Sequence, residues 1–140
     1  MYADYNFYAS AYYGVAITED DFPRLASKAS DFIDYYTKGK AATATDETIV
    51  LAIRKACCAV AEKMLEMEQA AKLRAQYIDA ALNGGEKKSE TVGSWSVSYS
   101  TAADYARSEA ELTNPRAQYA QAALEYLANT GLLYRGGCCL

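Results

Sequence analysis

The chain contains no histidine among its 140 residues. This absence removes the commonest general base, the commonest metal ligand and the usual titratable switch near neutral pH. Lysine or carboxylate bases would have to serve a nucleophile instead, and no signature of that kind is present. The glycine pairs Gly84-Gly85 and Gly136-Gly137 lack the lysine of a phosphate-binding loop. The sequence therefore predicts a protein that is not an enzyme, with no catalytic residue, no metal and no other cofactor.

Long apolar runs and clusters of positive charge are missing as well. Stretches such as 56–61 are far too short to cross a bilayer, and no basic region followed by an apolar run marks a secretory signal at the N-terminus. The net charge is −4 and Lys87-Lys88 is only a doublet, so tight binding to nucleic acid is not expected. We expect synthesis in a cytoplasm and no membrane partner.

Cysteines and carboxylates offer no convincing site. The four cysteines form two adjacent pairs, Cys57-Cys58 and Cys138-Cys139. Neighbours on a helix point about 100° apart, which disfavours a shared tetrahedral zinc ion, and Cys57 fits an apolar stripe as a small core residue. Glu62 and Glu66 are spaced for one helix face, and we interpret them as solvated helix surface.

Tyrosine is abundant, with 13 copies. Its side chain combines a broad apolar body with a polar tip, which suits interfaces, and we expect the tyrosines to divide between core and contact surface. Residues 1–16 show no helical or strand period, so we predict an extended arm laid over the body or over a neighbouring molecule. The tyrosines expected to make contacts from this arm are Tyr2, Tyr5, Tyr8, Tyr12 and Tyr13.

Apolar spacing predicts a single, mostly α domain of four helices spanning residues 18–130. The first helix should begin at Thr18, whose hydroxyl is a suitable cap, and should end near Thr37. A long second helix is predicted from Asp46 to about Leu82, either breaking near Glu68 or projecting beyond the body. Two further helices are predicted at 102–112 and 115–130, with Gly131 as a cap and an extended tail at 131–140.

One segment has a different period. Residues 84–100 are predicted to be a loop followed by a strand near 91–100, because large side chains alternate with serines from Ser94 to Ser100. A lone strand leaves its backbone groups without partners, so it must form a hairpin, pair with an arm of the same chain, or pair with another chain. The side chains predicted to contact other subunits or tail proteins are Val92, Trp95, Val97 and Tyr99.

Several segments, in this order, resemble a known family. Ile17–Leu25 and Lys28–Thr37 resemble the opening helix of head-tail connector proteins from long-tailed phages and prophages of Gram-positive bacteria. The tyrosine-rich start, Lys55–Ala59, Ser89–Tyr99 and the ending Thr130–Gly136 are similar to the same family. The stretch Met67–Asn83 is longer and richer in alanine than that family's pattern, and the last three residues depart from it.

The resemblance implies a structural role in the virion, at the interface between head and tail. Subunits of this family form a ring, usually dodecameric, between the portal and the stopper or tail proteins. DNA passes through the lumen of such a ring without sequence-specific binding. By this resemblance, the ring would assemble in the host bacterial cytoplasm. We expect the tail to dock to the portal through Leu132, Leu133, Tyr134 and Arg135.

A second hypothesis comes from another class of protein. A small cytosolic helical regulator or adaptor would bind one partner helix in a groove and would remain a monomer or dimer. Its strand segment would fold as a hairpin within one chain, whereas the connector hypothesis leaves the strand and the apolar tail to be completed by other polypeptides.

Overall fold

The computed structural model describes residues 1–83 and 114–135. Four α-helices lie in this part of the chain: α1 (Tyr5–Ser10), α2 (Phe22–Thr37), α3 (Glu47–Asn83) and α4 (Pro115–Leu127), with a 3-10 helix at Lys40–Thr43 between α2 and α3. The predicted mostly α fold is confirmed. The predicted strand near 91–100 and the helix predicted at 102–112 lie outside the described residues.

Contacts divide the chain into two compact units. The first comprises Met1–Leu65 and Arg116–Leu140, and the second comprises Glu66–Pro115. The organisation as one domain stays a prediction. Within 1–83 and 114–135, no helix is long and apolar enough to cross a membrane.

Helix α2 ends at Thr37, as predicted, but it begins at Phe22, four residues after the predicted start at Thr18. Asp21 is the N-cap residue, and its side chain makes no capping hydrogen bond. The Thr18 hydroxyl accepts a hydrogen bond from the Asp21 amide at 3.4 Å, and the Thr18 carbonyl accepts one from the Phe22 amide at 3.0 Å. At the other end, Lys38 and Gly39 adopt left-handed backbone angles, with φ of 54° and 78°. The Gly39 amide donates to the Asp34 carbonyl at 2.8 Å, which satisfies a carbonyl of the last turn.

The core of the first unit lies between α2, the start of α3 and α4. Cys57 and Cys58 are buried free thiols, which confirms the core role predicted for Cys57. Burial raises the pKa of Cys58 to about 12, so this thiol is protonated, and hence unreactive, at neutral pH. The largest fully buried side chains are Tyr8, Phe22, Leu25, Ile33, Ile53, Leu127, Val60, Thr37, Cys57 and Cys58.

Ring contacts show that α4 runs antiparallel to α2. The Arg116 guanidinium, at the start of α4, lies 5.3 Å from the centroid of Tyr35, near the end of α2. Tyr119 then meets Phe32 edge to face at 5.6 Å. The end of α4 consequently lies beside the start of α2.

Helix α3 is continuous from Glu47 to Asn83. The carboxylate of Asp46, just before it, accepts the Thr48 amide at 2.8 Å and the Thr48 hydroxyl at 2.6 Å, so the predicted cap is present. The helix ends within one residue of the predicted position, and it does not break at Glu68.

The sequence predicts an extended N-terminal arm, but part of this arm is helical. Helix α1 occupies Tyr5–Ser10, and the Asp4 carboxylate caps it by accepting the Phe7 amide at 3.2 Å. A helix of six residues is too short to be stable alone, so its formation depends on the surface that it packs against. This dependence explains why no helical period is visible in the sequence.

Candidate interaction surfaces

Tyr8 anchors the N-terminal segment to the body of the first unit. Its ring is fully buried and lies 4.9 Å from the ring of Phe22. Its hydroxyl donates to Glu62 at 2.8 Å and accepts the amides of Ala16 and Ile17 at 2.9 and 3.1 Å. A single phenol thus joins α1, the link to α2, and α3. Burial, followed by the hydrogen bond to Glu62, raises the pKa of Tyr8 to about 12.

Gly14 permits the chain to pass closely over Tyr8. Its amide donates to the Tyr8 carbonyl at 2.9 Å. A Cβ atom at this position would lie 2.0 Å from Cε2 of the Tyr8 ring, far inside van der Waals contact. Only glycine fits here without displacing the ring.

Tyr2 and Tyr5 also hold the segment against its own body. The Tyr2 amide donates to the Ser30 hydroxyl at 2.9 Å, and the Tyr2 hydroxyl donates to the Asp34 carboxylate. Burial, followed by the hydrogen bond to Asp34, raises the pKa of Tyr2. Tyr5 is half-buried, with its ring 5.8 Å from Phe22. Of the two placements predicted for the arm, the structure shows the one over the chain's own body.

An open depression of about 530 Å³ lies between residues 11–15, α3 and the end of α4. Its lining includes Tyr12, Glu62 and Tyr126. The Tyr12 hydroxyl donates to the second Glu62 oxygen at 3.3 Å, and the rings of Tyr12 and Tyr126 lie 6.3 Å apart. At its edge, the side chains of Tyr13 and Val15 are 79% and 96% exposed. We call this feature the tyrosine depression.

Glu62 is not the solvated helix-surface residue that its spacing from Glu66 suggested. It is half-buried, and its two oxygens each accept a tyrosine hydroxyl, from Tyr8 and Tyr12. These partners precede it by 54 and 50 residues. Local spacing carries no information about partners so distant in sequence. Glu62 meets these tyrosines because the chain that follows Tyr8 folds back over the Tyr8 ring and buries it.

Arg54 shows how this part of the protein binds a guanidinium group. Its guanidinium carbon lies 3.9 Å from the centroid of the Phe7 ring, and its Nη2 lies 3.2 Å from the Asp4 carboxylate. An aromatic face and a carboxylate therefore hold one cation together, combining a cation–π contact with a charge-assisted hydrogen bond.

The C-terminal tail has a half-buried part and an exposed part. Leu132 and Leu133 pack partly against the core of the first unit, whereas Tyr134 is 58% exposed and Arg135 is exposed. The Lys40 ammonium donates to the Tyr134 carbonyl. Of the four residues predicted to dock to the portal, the last two are the most accessible.

The other predicted contact residues, Val92, Trp95, Val97 and Tyr99, lie outside the described residues. Among residues 1–83 and 114–135, no group of three or more histidine, cysteine, aspartate or glutamate side chains is arranged to hold a metal ion. Comparisons of the chain with protein-family models, with curated proteins and with solved structures found no match.

Proposed function

We propose that this protein is a structural subunit of a phage virion. It forms a ring between the portal and the stopper or tail proteins, extends the DNA channel, and joins head to tail. The collinear resemblance of its segments to head-tail connector proteins is the basis for naming this role. The alternative, a cytosolic adaptor that holds a partner helix in a groove, has no specific contact in its favour among residues 1–83 and 114–135.

The exposure of Tyr134 and Arg135 in the C-terminal tail is the structural observation that supports the proposal. Half-buried Leu132 and Leu133 attach the tail to the body, and the Lys40 contact fixes the backbone at Tyr134. The aromatic and guanidinium groups of Tyr134 and Arg135 are thereby presented from an ordered base. Tyrosine and arginine are the residue types that contribute most to protein interfaces, and a pre-ordered base lowers the entropy cost of binding.

Sedimentation of the purified chain tests this function, with and without portal particles encoded by the same genome. We expect the chain to co-sediment with the particles as a ring. A chain that ignores portal particles and stays monomeric at high concentration would contradict the proposal. The absence of rings without portal would not, because such rings can require the portal as a template.

Fluorescence of Trp95, the only tryptophan in the sequence, provides a second measurement. If this residue enters an interface, its emission should shift to the blue on addition of portal particles. The adaptor alternative predicts unchanged emission and a monomer or dimer throughout.

A further inference from the structure

We propose that the tyrosine depression binds the Arg135 side chain of a second copy of the chain, so that copies associate head to tail. This inference deepens the proposed function and rests on its premise that copies of the chain assemble with one another. It assigns Arg135 to a neighbouring subunit, whereas the resemblance alone assigns the tail to the portal.

The depression has the chemistry of a guanidinium site. A carboxylate offers about four acceptor positions, and the Glu62 carboxylate uses two of them for the hydroxyls of Tyr8 and Tyr12. The remaining positions can accept a charge-assisted pair of hydrogen bonds from an arginine. The rings of Tyr12 and Tyr126 supply aromatic faces next to this carboxylate.

The Arg54 contact provides a precedent within the same unit. There, Asp4 and Phe7 hold a guanidinium between a carboxylate and a ring. The tyrosine depression contains both of these components, Glu62 and two tyrosine rings, and no arginine from residues 1–83 or 114–135 lines it.

Arg135 is the arginine best suited to reach a neighbour. It is exposed in the C-terminal tail, and within the described residues its side chain has no hydrogen-bonding or ionic partner. By contrast, Arg24 pairs with Asp21, Arg54 with Asp4, and Arg116 lies over Tyr35.

Arg135, the proposed donor, and Glu62, the proposed acceptor, lie toward opposite ends of α2. Glu62 is joined through Tyr8 to Phe22, the first residue of the helix. The tail is held at Lys40, three residues beyond the end of the helix. Sixteen residues of helix span about 24 Å. Two complementary patches placed in this way favour contact between different copies, and repeated head-to-tail contact closes into a ring where the rotation allows.

Lys55 also lines the tyrosine depression, so its positive charge acts on any guanidinium group that binds there. It precedes Glu62 by seven residues, which places it about 10 Å away along α3. Because the depression is open to solvent, water and salt weaken its repulsion of a bound guanidinium. Its ammonium group is able to donate a hydrogen bond to a carbonyl of the incoming tail.

A change of charge at each side of the contact provides the test, with self-association of the full chain measured by sedimentation with and without portal particles. Val15→Arg adds a cation at the edge of the depression from a 96% exposed position, and Arg135→Glu reverses the donor. We expect each change to weaken association at least about tenfold, the effect of roughly 1.4 kcal/mol. The combined variant should recover most of that loss, because the new charges attract each other.

Lys72→Glu is the matched control for Arg135→Glu, since it makes the same change in net charge at an exposed position of the second unit, and it should leave association unchanged. If rings form normally with Val15→Arg and with Arg135→Glu, the inference is overturned while the proposed function stands. If only portal binding is lost, Arg135 contacts the portal and the inference is overturned. A wild-type chain that never self-associates, alone or on portal particles, overturns both.

Discussion

The two parts of α3 differ sharply in what surrounds them, although they form one continuous helix. The part within the first unit buries side chains at successive turns, among them Ile53, Cys57, Val60 and Met64. From residue 66 to residue 81, no side chain is buried. Leu73, Tyr77 and Ile78 are 54%, 54% and 48% exposed.

This contrast separates two sources of helix stability. Residues 66–83 are rich in alanine, leucine, glutamine, lysine and arginine, which have high intrinsic helix propensity. Residues 47–65 gain their stability chiefly from burial against α2 and the N-terminal segment, as most helices in proteins do. The same substitution should therefore have very different consequences in the two parts.

The largest expected effect is alkaline unfolding of the first unit. Below pH 10, Tyr8 is protonated in the folded and in the unfolded chain, and its titration has no effect on stability. Between pH 10 and about 12, the unfolded chain loses this proton while the folded chain retains it. The free energy of unfolding must therefore fall as pH rises. The pKa values of Tyr2 and Tyr12 are also raised by burial, so their contributions have the same sign.

Urea unfolding at a series of pH values measures this loss, and near-ultraviolet absorbance follows tyrosinate formation. For Tyr8 alone, the slope is at most about 1.4 kcal/mol per pH unit. Stability that stays constant from pH 10 to 12 would show that these hydroxyls are accessible and would contradict the anchoring of the N-terminal segment through Tyr8.

Ile53→Ala should give the largest loss among single substitutions. Ile53 is 2% exposed, and removing a buried isoleucine side chain leaves a cavity, at a cost of about 2 to 5 kcal/mol. Urea unfolding followed by circular dichroism gives the change in free energy. A loss below about 1 kcal/mol would mean that this part of α3 is as weakly packed as residues 66–81.

Tyr8→Phe removes one oxygen and keeps the ring. The Ala16 and Ile17 amides then lose their acceptor, and Glu62 loses a donor. Leaving a buried polar group unsatisfied costs about 1 to 3 kcal/mol, so we expect a loss in that range and a shallower decline of stability above pH 10. Tyr13→Phe is the matched control, since Tyr13 is 79% exposed. Equal effects of the two changes would contradict the anchoring role of Tyr8.

The parts of this fold that could be predicted from the sequence are those that local chemistry determines. Gly39 and the apolar spacing of α2 located the end of that helix, and Asp46 located the start of α3. The Tyr5–Ser10 helix could not be found in this way, because its stability comes from contacts with residues distant in sequence. Of the two alternatives predicted for the long helix, a break near Glu68 does not occur, and residues with high helix propensity favour the continuation of α3 through that position.

The candidate surfaces show the same difference between features that the local sequence determines and features that depend on contacts distant in sequence. An abundance of tyrosine indicated contact residues, but it did not distinguish Tyr8, which is fully buried, from Tyr13, which is exposed. The distinction depends on Gly14, which lets the backbone lie against the Tyr8 ring. The environment of Glu62 also depends on a contact with a residue 54 positions earlier in the chain. Its helical spacing predicted a solvated position, whereas Glu62 is half-buried.

The smallest expected effect is that of Leu73→Ala in the exposed part of α3. Leu73 is 54% exposed, and alanine has an equal or higher helix propensity. The free energy of unfolding should therefore change by less than about 0.5 kcal/mol, against about 2 to 5 kcal/mol for Ile53→Ala. Amide hydrogen exchange across both parts of α3 tests the reason for this small effect. A helix that is stabilised by its intrinsic propensity opens locally, without global unfolding of the protein. If Leu73→Ala costs as much as Ile53→Ala, residues 66–81 owe their stability to side-chain burial, and the difference between the two parts disappears.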